Sequence, residues 1–370
     1  MINLVILTSS RADFGIYEPL LKLLSNSKDI DTKIVAFGTH LSELYGYSVQ
    51  HIKKTNIEII AEFDTAPLED TPASISSSMA LTIQSMTSVW KKHKIDLLIA
   101  LGDRYEMFAA VASAIPFNIK VAHIHGGETT LGAIDNAFRH SITHMSNLHF
   151  TASEDYYNRV IELTGSNRGV YNTGSLSIDS LSTVSFLTKE EISEQYKIDF
   201  SRPVILITLH PETLNLNSNS SYATEVIKAL SNRSDTQQVI TMPNADTSGL
   251  IIREKLNLYA NQSKNVILVE NFGSRAYLSI MKYASLLLGN SSSGFIEAAW
   301  FPKWVINIGD RQKGRIRTPN IIDVPFESDL IDNAISKALS SKTPEVKPIY
   351  GTGNAAEKIL KHILNEFTNN

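Results

Sequence analysis

Short runs of apolar, β-branched residues alternate with longer amphipathic stretches along almost the whole chain. The runs predict strands at Asn3–Thr8, Asp31–Phe37, Asp96–Leu101, Lys120–His125, Leu148–Ala152, Val170–Thr173, Val204–Leu209, Gln238–Met242, Val266–Leu268, Leu286–Gly289 and Trp304–Ile308. Most are continuously apolar, as strands buried on both faces of a parallel sheet are. Between them, Tyr17–Leu24, Ser77–Lys92 and Tyr105–Ala114 place apolar residues at helical spacing. Strand–helix–strand order of this kind predicts α/β, doubly wound sheets with right-handed crossovers. A Ser-rich stretch at Gly174–Ser185, an acidic helical one at Lys189–Gln195 and a fresh strand after Arg202-Pro203 mark a boundary between two Rossmann-like halves. We therefore expect domains over 1–175 and 176–353 and a last helix over 354–370 that crosses back to the first. The active site is expected in the cleft, at the carboxyl ends of the strands. Asn215–Tyr222 (NLNSNSSY) reads as an exposed loop.

Composition narrows the chemistry. At 370 residues the chain has room for about two domains, each with its own core. With 34 basic against 38 acidic residues, no strong basic field exists to hold a phosphate backbone, so a nucleic-acid partner is disfavoured. The absence of cysteine removes disulfides, thiolate metal sites and Cys nucleophiles together. No apolar run approaches the ~18 residues of a membrane span, and the start lacks the basic region of a signal peptide. We expect a soluble cytoplasmic protein without a membrane partner.

Several strand ends carry chemistry. Thr8-Ser9-Ser10-Arg11-Ala12-Asp13 follows the first strand, where helix-start N–H groups and Arg11 suit an anion, or Ser10 and Asp13 cap the helix. Asp103, with Arg104 beside it, follows another buried strand. Five of the ten histidines then fall between His123 and His149. His123 and His125 would share a strand face, and His140 and His144 a helix face. No Cys or metalloprotease-type Glu accompanies them, which favours acid–base and diphosphate duty over metal binding. Glu128 and Asp135 lie near Gly126-Gly127, where a ligand would approach the backbone closely. His210 ends the first strand of the second half, and Asn244 stands in a similar position. Gly289-Asn290-Ser291-Ser292-Ser293-Gly294 follows a strand and would open a helix whose N–H groups meet a phosphate, with Glu297 one turn in. Gly309–Arg315 is a basic loop able to close on a diphosphate. No Walker-type phosphate loop occurs.

The set RADFG, LGDRYE, HIHGG-E, R-H-S-I-T, H-P-E-T, GNSSSG-x-x-E and IGDRQKGR, in this order over about residues 4–325, resembles the UDP-N-acetylglucosamine 2-epimerase family, most closely its hydrolysing bacterial branch. The resemblance implies the two-domain GT-B fold, a UDP-sugar substrate, UDP as product, and a homodimer or homotetramer. It implies diphosphate contacts from Arg11 and Arg315 with Ser291 and Ser292, and a ribose contact from Glu297. Asp103, Glu128 and Asp135 look like the family's acid–base residues, and His210 like the one near the diphosphate and C2. Arg104, Arg139 and Asn244 match further motif positions, as do Ser293 and Gly294. Two departures stand out. Ile16 takes a place where animal relatives carry Lys, and His125 one where other branches carry Glu, which leaves open whether Glu128 assumes that carboxylate's role.

The chemistry the family performs explains the residue types. The C2 proton of the sugar has no neighbouring carbonyl, so the implied route expels UDP from C1 with loss of that proton, giving a 2-acetamidoglycal. Proton return on the opposite face and water at C1 then give the free manno sugar. This needs a base for C2–H and a charge clamp for departing UDP, without nicotinamide, metal or other cofactor. A raised pKa is expected for at least one of Asp103, Glu128 and Asp135. With UDP-N-acetylglucosamine the product is N-acetylmannosamine for sialic acid synthesis. The alternative sugar is 2,4-diacetamido-2,4,6-trideoxyglucose, on the way to legionaminic acid. Retention of UDP, a GT-B glycosyltransferase and an inactive UDP-sugar binder are the further alternatives.

Overall fold

The structure, a computed structural model, describes residues 1–243 and 246–368. In chain order the strands are β1 Ile2–Thr8, β2 Ile30–Phe37, β3 Glu58–Phe63, β4 Leu97–Leu101, β5 Lys120–Ile124, β6 Leu148–Thr151, β7 Val170–Asn172, β8 Val204–Thr208, β9 Gln237–Thr241, β10 Val266–Val269, β11 Leu286–Gly289, β12 Trp304–Ile308 and β13 Ile321–Val324. The helices are α1 Arg11–Ser25, α2 Val49–Ile52, α3 Pro72–Lys92, α4 Tyr105–Ala114, α5 Asp135–Met145, α6 Glu154–Thr164, α7 Leu176–Thr183, α8 Lys189–Tyr196, α9 Asn219–Ser231, α10 Gly249–Gln262, α11 Gly273–Tyr283, α12 Ser328–Ser340 and α13 Ala355–Thr368. No helix among the described residues is long and apolar enough to cross a membrane.

The chain divides into two compact units. The first comprises 1–128, 135–182 and 349–370, the second 129–134 and 183–348. Apart from 129–134, the second thus begins at Thr183, the last residue of α7, rather than at 176. Leu176 is buried in the first unit's core, and the Asp179 carboxylate of the same helix accepts the N–H groups of Ala355 (2.9 Å) and Ala356 (2.6 Å), capping α13.

The first sheet is fully parallel, in the order β3-β2-β1-β4-β5-β6-β7. Alternate residues of its central strands feed two cores. Leu4, Ile6, Ile34 and Ile99 meet Tyr17, Leu20 and Leu24 of α1 and Ile359 and Ile363 of α13. Val5, Leu7, Val35 and Leu98 meet Met86 and Trp90 of α3 and Met107 and Val111 of α4. Burial on both faces is why these strands are continuous apolar runs. The second sheet, β10-β9-β8-β11-β12-β13, is also parallel, and Ile205, Ile207, Leu286 and Ile306 pack with Val226, Ile252, Leu256 and Ile335.

In each sheet the order reverses beside the first strand, at β1/β4 and at β8/β11. Crossovers leave these neighbours toward opposite faces, opening a crevice at their carboxyl ends. Of the edge strands, β3 and β13 carry only short apolar stretches broken by acidic residues and escape the sequence pattern. Asn219–Tyr222 is the first turn of α9 rather than loop.

Candidate active site

In the first unit, a buried arginine organises the ends of β4 and β5. Arg139, in the second turn of α5, is 3% exposed. Its Nη2 donates to the Asp103 carboxylate, and its Nη1 donates to the His125 carbonyl at 2.7 Å and lies 3.6 Å from Glu128 Oε2. Glu128 Oε1 stands 2.8 Å from His125 Nδ1. Asp103, Glu128, His125 and Arg139 are therefore one cluster. Asp135, the first residue of α5, is also buried and sits one turn before Arg139.

Asp103 does not cap α4. The cap position is Arg104, whose Nε meets Glu106 Oε1 at 2.7 Å. His123 and His125 do not share a face, because the strand ends at Ile124 and His125 adopts a left-handed φ of 66°. His123 instead bonds the Gly102 carbonyl (2.7 Å) through Nε2 and the Thr143 hydroxyl (3.1 Å) through Nδ1, fixing the loop before Asp103. Burial pushes its pKa down to about 3, and that of its β6 neighbour His149 to about 4, so both are neutral packing groups. Burial also lowers half-buried His140. Gly126 and Gly127 serve packing rather than ligand approach. A Cβ on Gly127 would lie 2.4 Å from the Tyr156 carbonyl, and one on Gly126 3.0 Å from His123 Nδ1. Among the described residues, no group of three or more His, Asp or Glu is arranged to hold a metal ion.

The start of α1 is closed by its own carboxylate. Asp13 Oδ2 accepts the N–H and hydroxyl of both Ser9 and Ser10, completing a capping box, so those N–H groups are not open to a phosphate. Arg11 is half-buried with Nη1 3.4 Å from the Tyr45 carbonyl. Around Asp13 lies a network absent from the sequence expectations. The Thr8 hydroxyl meets both Asp13 Oδ1 and, at 2.8 Å, His40 Nε2, while His40 Nδ1 meets Ser48 at 2.8 Å. Burial raises the carboxyls of Asp13 and Glu106 and drops His40 to about 3. The capping pattern Ser10-x-x-Asp13 and the Glu two places after Arg104 were the available signals.

In the second unit, His210 and Asn290 flank the β8/β11 reversal. The buried Asn290 side chain accepts the His210 N–H (2.7 Å) and donates to its carbonyl (2.8 Å). Asp246 Oδ2 lies 4.0 Å from His210 Nδ1 and 3.7 Å from Arg311 Nη2. The Asn290 carbonyl accepts from Arg311 (3.2 Å) and Gln312 (2.9 Å). Glu212 Oε1 takes the N–H groups of Asp310 (2.6 Å) and Arg311 (3.1 Å), shaping the loop that ends at buried Arg315. Burial raises the Glu212 carboxyl. Glu212, Asp246, Asn290, Arg311 and Gln312 were not among the expected site residues, although the H-P-E-T and GDRQ strings contain three of them and GNSSSG contains Asn290.

The serine-rich stretch does not open an α-helix. Ser291 accepts the Ser293 N–H at 3.4 Å, Ser292–Gly294 is a single 3-10 turn, and irregular turns holding half-buried Glu297 follow. Ser291 and Gly294 border a small recess, about water-sized, lined also by Thr208, Tyr277, Leu287 and Val305. The Tyr277 hydroxyl faces Ser293 and Thr208, and burial raises its pKa. Asn244 lies outside the described residues.

Comparison with known proteins places these elements. The sequence profile of the UDP-N-acetylglucosamine 2-epimerase family matches residues 22–364. The chain is 37% identical over 341 residues to a hydrolysing GDP/UDP-N,N'-diacetylbacillosamine 2-epimerase of Campylobacter jejuni, covering 92% of this chain and 88% of the relative. It is 36% identical over 343 residues to the polysialic acid biosynthesis protein P7 of Escherichia coli, covering 92% and 87%. Its fold matches the crystal structure of UDP-GlcNAc 2-epimerase from Neisseria meningitidis bound to UDP-GlcNAc, with a TM-score of 0.80 at 19% identity over 99% of this chain and 100% of the other. The two Rossmann-like units are those of the GT-B class. With its motifs, its two parallel sheets and its profile in agreement, the chain belongs to the UDP-N-acetylglucosamine 2-epimerase family.

Proposed function

We propose that the protein is a hydrolysing UDP-sugar 2-epimerase that converts a UDP-linked 2-acetamido sugar and water into UDP and the free 2-epimer. The observation that carries this reading is the Asp103–Arg139–Glu128–His125 cluster at the ends of β4 and β5. Two carboxylates held by one guanidinium supply what the reaction asks for, a base for C2–H and an acid for the opposite face. In the first step a carboxylate takes the C2 proton while the C1–O bond breaks and its electron pair leaves with UDP. In the second, a carboxylic acid gives a proton to C2 of the glycal while water adds at C1 and releases a proton to a carboxylate or solvent. We assign proton transfer to Asp103, Glu128 and Asp135. Arg315, Arg11, His210 and the Ser291–Gly294 turn stabilise the charge on departing UDP, with Glu297 on the ribose and Asn244 and Arg104 in binding.

The sugar is either N-acetylglucosamine, giving N-acetylmannosamine for a sialic acid, or 2,4-diacetamido-2,4,6-trideoxyglucose. The name of the 37% identical Campylobacter relative favours the second, and that of the Escherichia coli relative the first. Incubation with each UDP-sugar in parallel, following UDP release and the free sugar by NMR, decides between them. UDP and free 2-epimer from one tube support the reading and name the substrate. UDP-ManNAc without free sugar, or UDP release only when an acceptor is added, overturns it.

A further inference from the structure

The cluster continues one residue beyond its known members. His125 Nε2 lies 3.2 Å from the hydroxyl of Ser175, a residue with no exposed surface. Glu128 Oε1 lies 2.8 Å from His125 Nδ1, an ion-pair distance without the alignment of a hydrogen bond. An imidazole that carries its proton at Nδ1 presents a lone pair at Nε2. The Ser175 oxygen already accepts the Ser177 N–H at 3.3 Å, and its own proton meets one acceptor among the described residues, His125 Nε2. That assignment satisfies the Ser175 hydroxyl, whereas an Nε2–H form of His125 would leave its proton without an acceptor among the described residues.

Both ends of this contact are fixed by backbone. The Ser175 N–H donates to the Tyr350 carbonyl at 2.8 Å. The neighbouring Gly174 and Gly351, both at left-handed φ, approach so closely that a Cβ on Gly174 would lie 3.1 Å from the Gly351 Cα. His125, in a left-handed conformation unusual for a side-chain-bearing residue, is held by its N–H on the Phe150 carbonyl (2.9 Å) and by Arg139 on its own carbonyl (2.7 Å).

We propose that Ser175 is a positioning residue for the acid–base cluster, holding His125 in the Nδ1–H tautomer so that this N–H stays on the side of Glu128. Polar hydrogens then face both Glu128 oxygens, from His125 near Oε1 (2.8 Å) and from Arg139 near Oε2 (3.6 Å), which favours one direction of the carboxylate relative to Asp103. This inference rests on the cluster being the acid–base centre of the proposed reaction.

The test uses full-length protein carrying ¹⁵N-histidine, as wild type, Ser175→Ala and Ser175→Thr, with His125→Gln to assign the signal. The wild type should show His125 as the Nδ1–H tautomer. Ser175→Ala should move its ¹⁵N shifts toward a mixed population, and Ser175→Thr, which keeps the hydroxyl, should restore them. On whichever UDP-sugar is turned over, Ser175→Ala should lower kcat by about 10- to 100-fold with KM within about twofold, and Ser175→Thr should recover most of the loss. An Nε2–H tautomer in wild type, or unchanged shifts and kcat in Ser175→Ala, overturns the proposal. Equal losses in the Ala and Thr variants would also overturn it, since a purely structural serine behaves so. If wild type releases UDP from no sugar, the functional reading fails while the ¹⁵N tautomers still decide the role of Ser175.

Discussion

Replacing Arg139 by methionine removes the hub of the first unit's cluster while keeping much of the buried stem. The guanidinium faces Glu128, which is 1% exposed, at 3.6 Å. At an effective dielectric of about 20 that separation corresponds to roughly 4–5 kcal/mol of attraction before desolvation is counted. The substitution also leaves the His125 carbonyl without its 2.7 Å donor and Asp103 without its ion pair. Removing one partner of a buried pair costs about 3–5 kcal/mol, because the other charge stays behind. At about 2–4 °C per kcal/mol for a domain of this size, the first transition should fall by roughly 6–20 °C. Adding Glu128→Gln to Arg139→Met removes one orphaned charge, so the double variant should be more stable than the sum of the single losses by about 1–3 kcal/mol. Urea titrations of the four proteins followed by circular dichroism give the cycle. A melting point within about 2 °C of wild type for Arg139→Met, or additivity within about 0.5 kcal/mol, would refute the hub.

Other outcomes follow from the same structure. Asp103→Asn should lower kcat by at least about a hundredfold while UDP still binds, checked by initial rates and calorimetry; normal turnover removes Asp103 from proton transfer. Arg315→Ala should weaken UDP binding by about tenfold or more with a smaller effect on stability, and an unchanged Kd dismisses its diphosphate role. Acidification should destabilise the first unit. His40 and His123 protonate natively only near about 3, and His149 near about 4, against about 6.5 when unfolded. Their contribution is fully present above pH 6.5 and is lost as pH falls toward those values, by up to about 4 kcal/mol per pH unit for the three together. Asp13 and Glu106, whose carboxyls burial raises, act in the opposite sense and reduce that slope. Urea midpoints at pH 7 and pH 5 measure it, and equal midpoints would contradict the burial of neutral imidazoles.

The legible parts of the sequence were those whose signal is local. Runs such as Val5–Leu7 and Leu97–Leu101 announce strands because both faces are covered. At two of the sheet edges, β3 and β13, the signal fades. Glu58 and Glu62 flank the short apolar stretch of β3, and Asp323 breaks β13, which is partly open to solvent. Asp103, Glu128 and Arg139 could be named from their strings, but not joined, since Arg139 reaches Asp103 across 36 positions and only the β4 and β5 ends bring them together. The serine-rich stretch failed for a physical reason. Small hydroxyl residues bond the local backbone in tight turns as readily as they cap helices, and Ser291 does the former. Asn290 was hidden because its work is to hold the backbone of His210, 80 positions away.

The central claim is elimination of UDP from C1 followed by hydration of the glycal. The most direct measurement is one turnover assay run in D2O and, separately, in H2¹⁸O, with UDP and free sugar analysed by NMR and mass spectrometry. The account predicts a free manno sugar carrying solvent deuterium at C2 and UDP without ¹⁸O. Retention of the original C2 proton, or ¹⁸O in the phosphate of UDP, would contradict it.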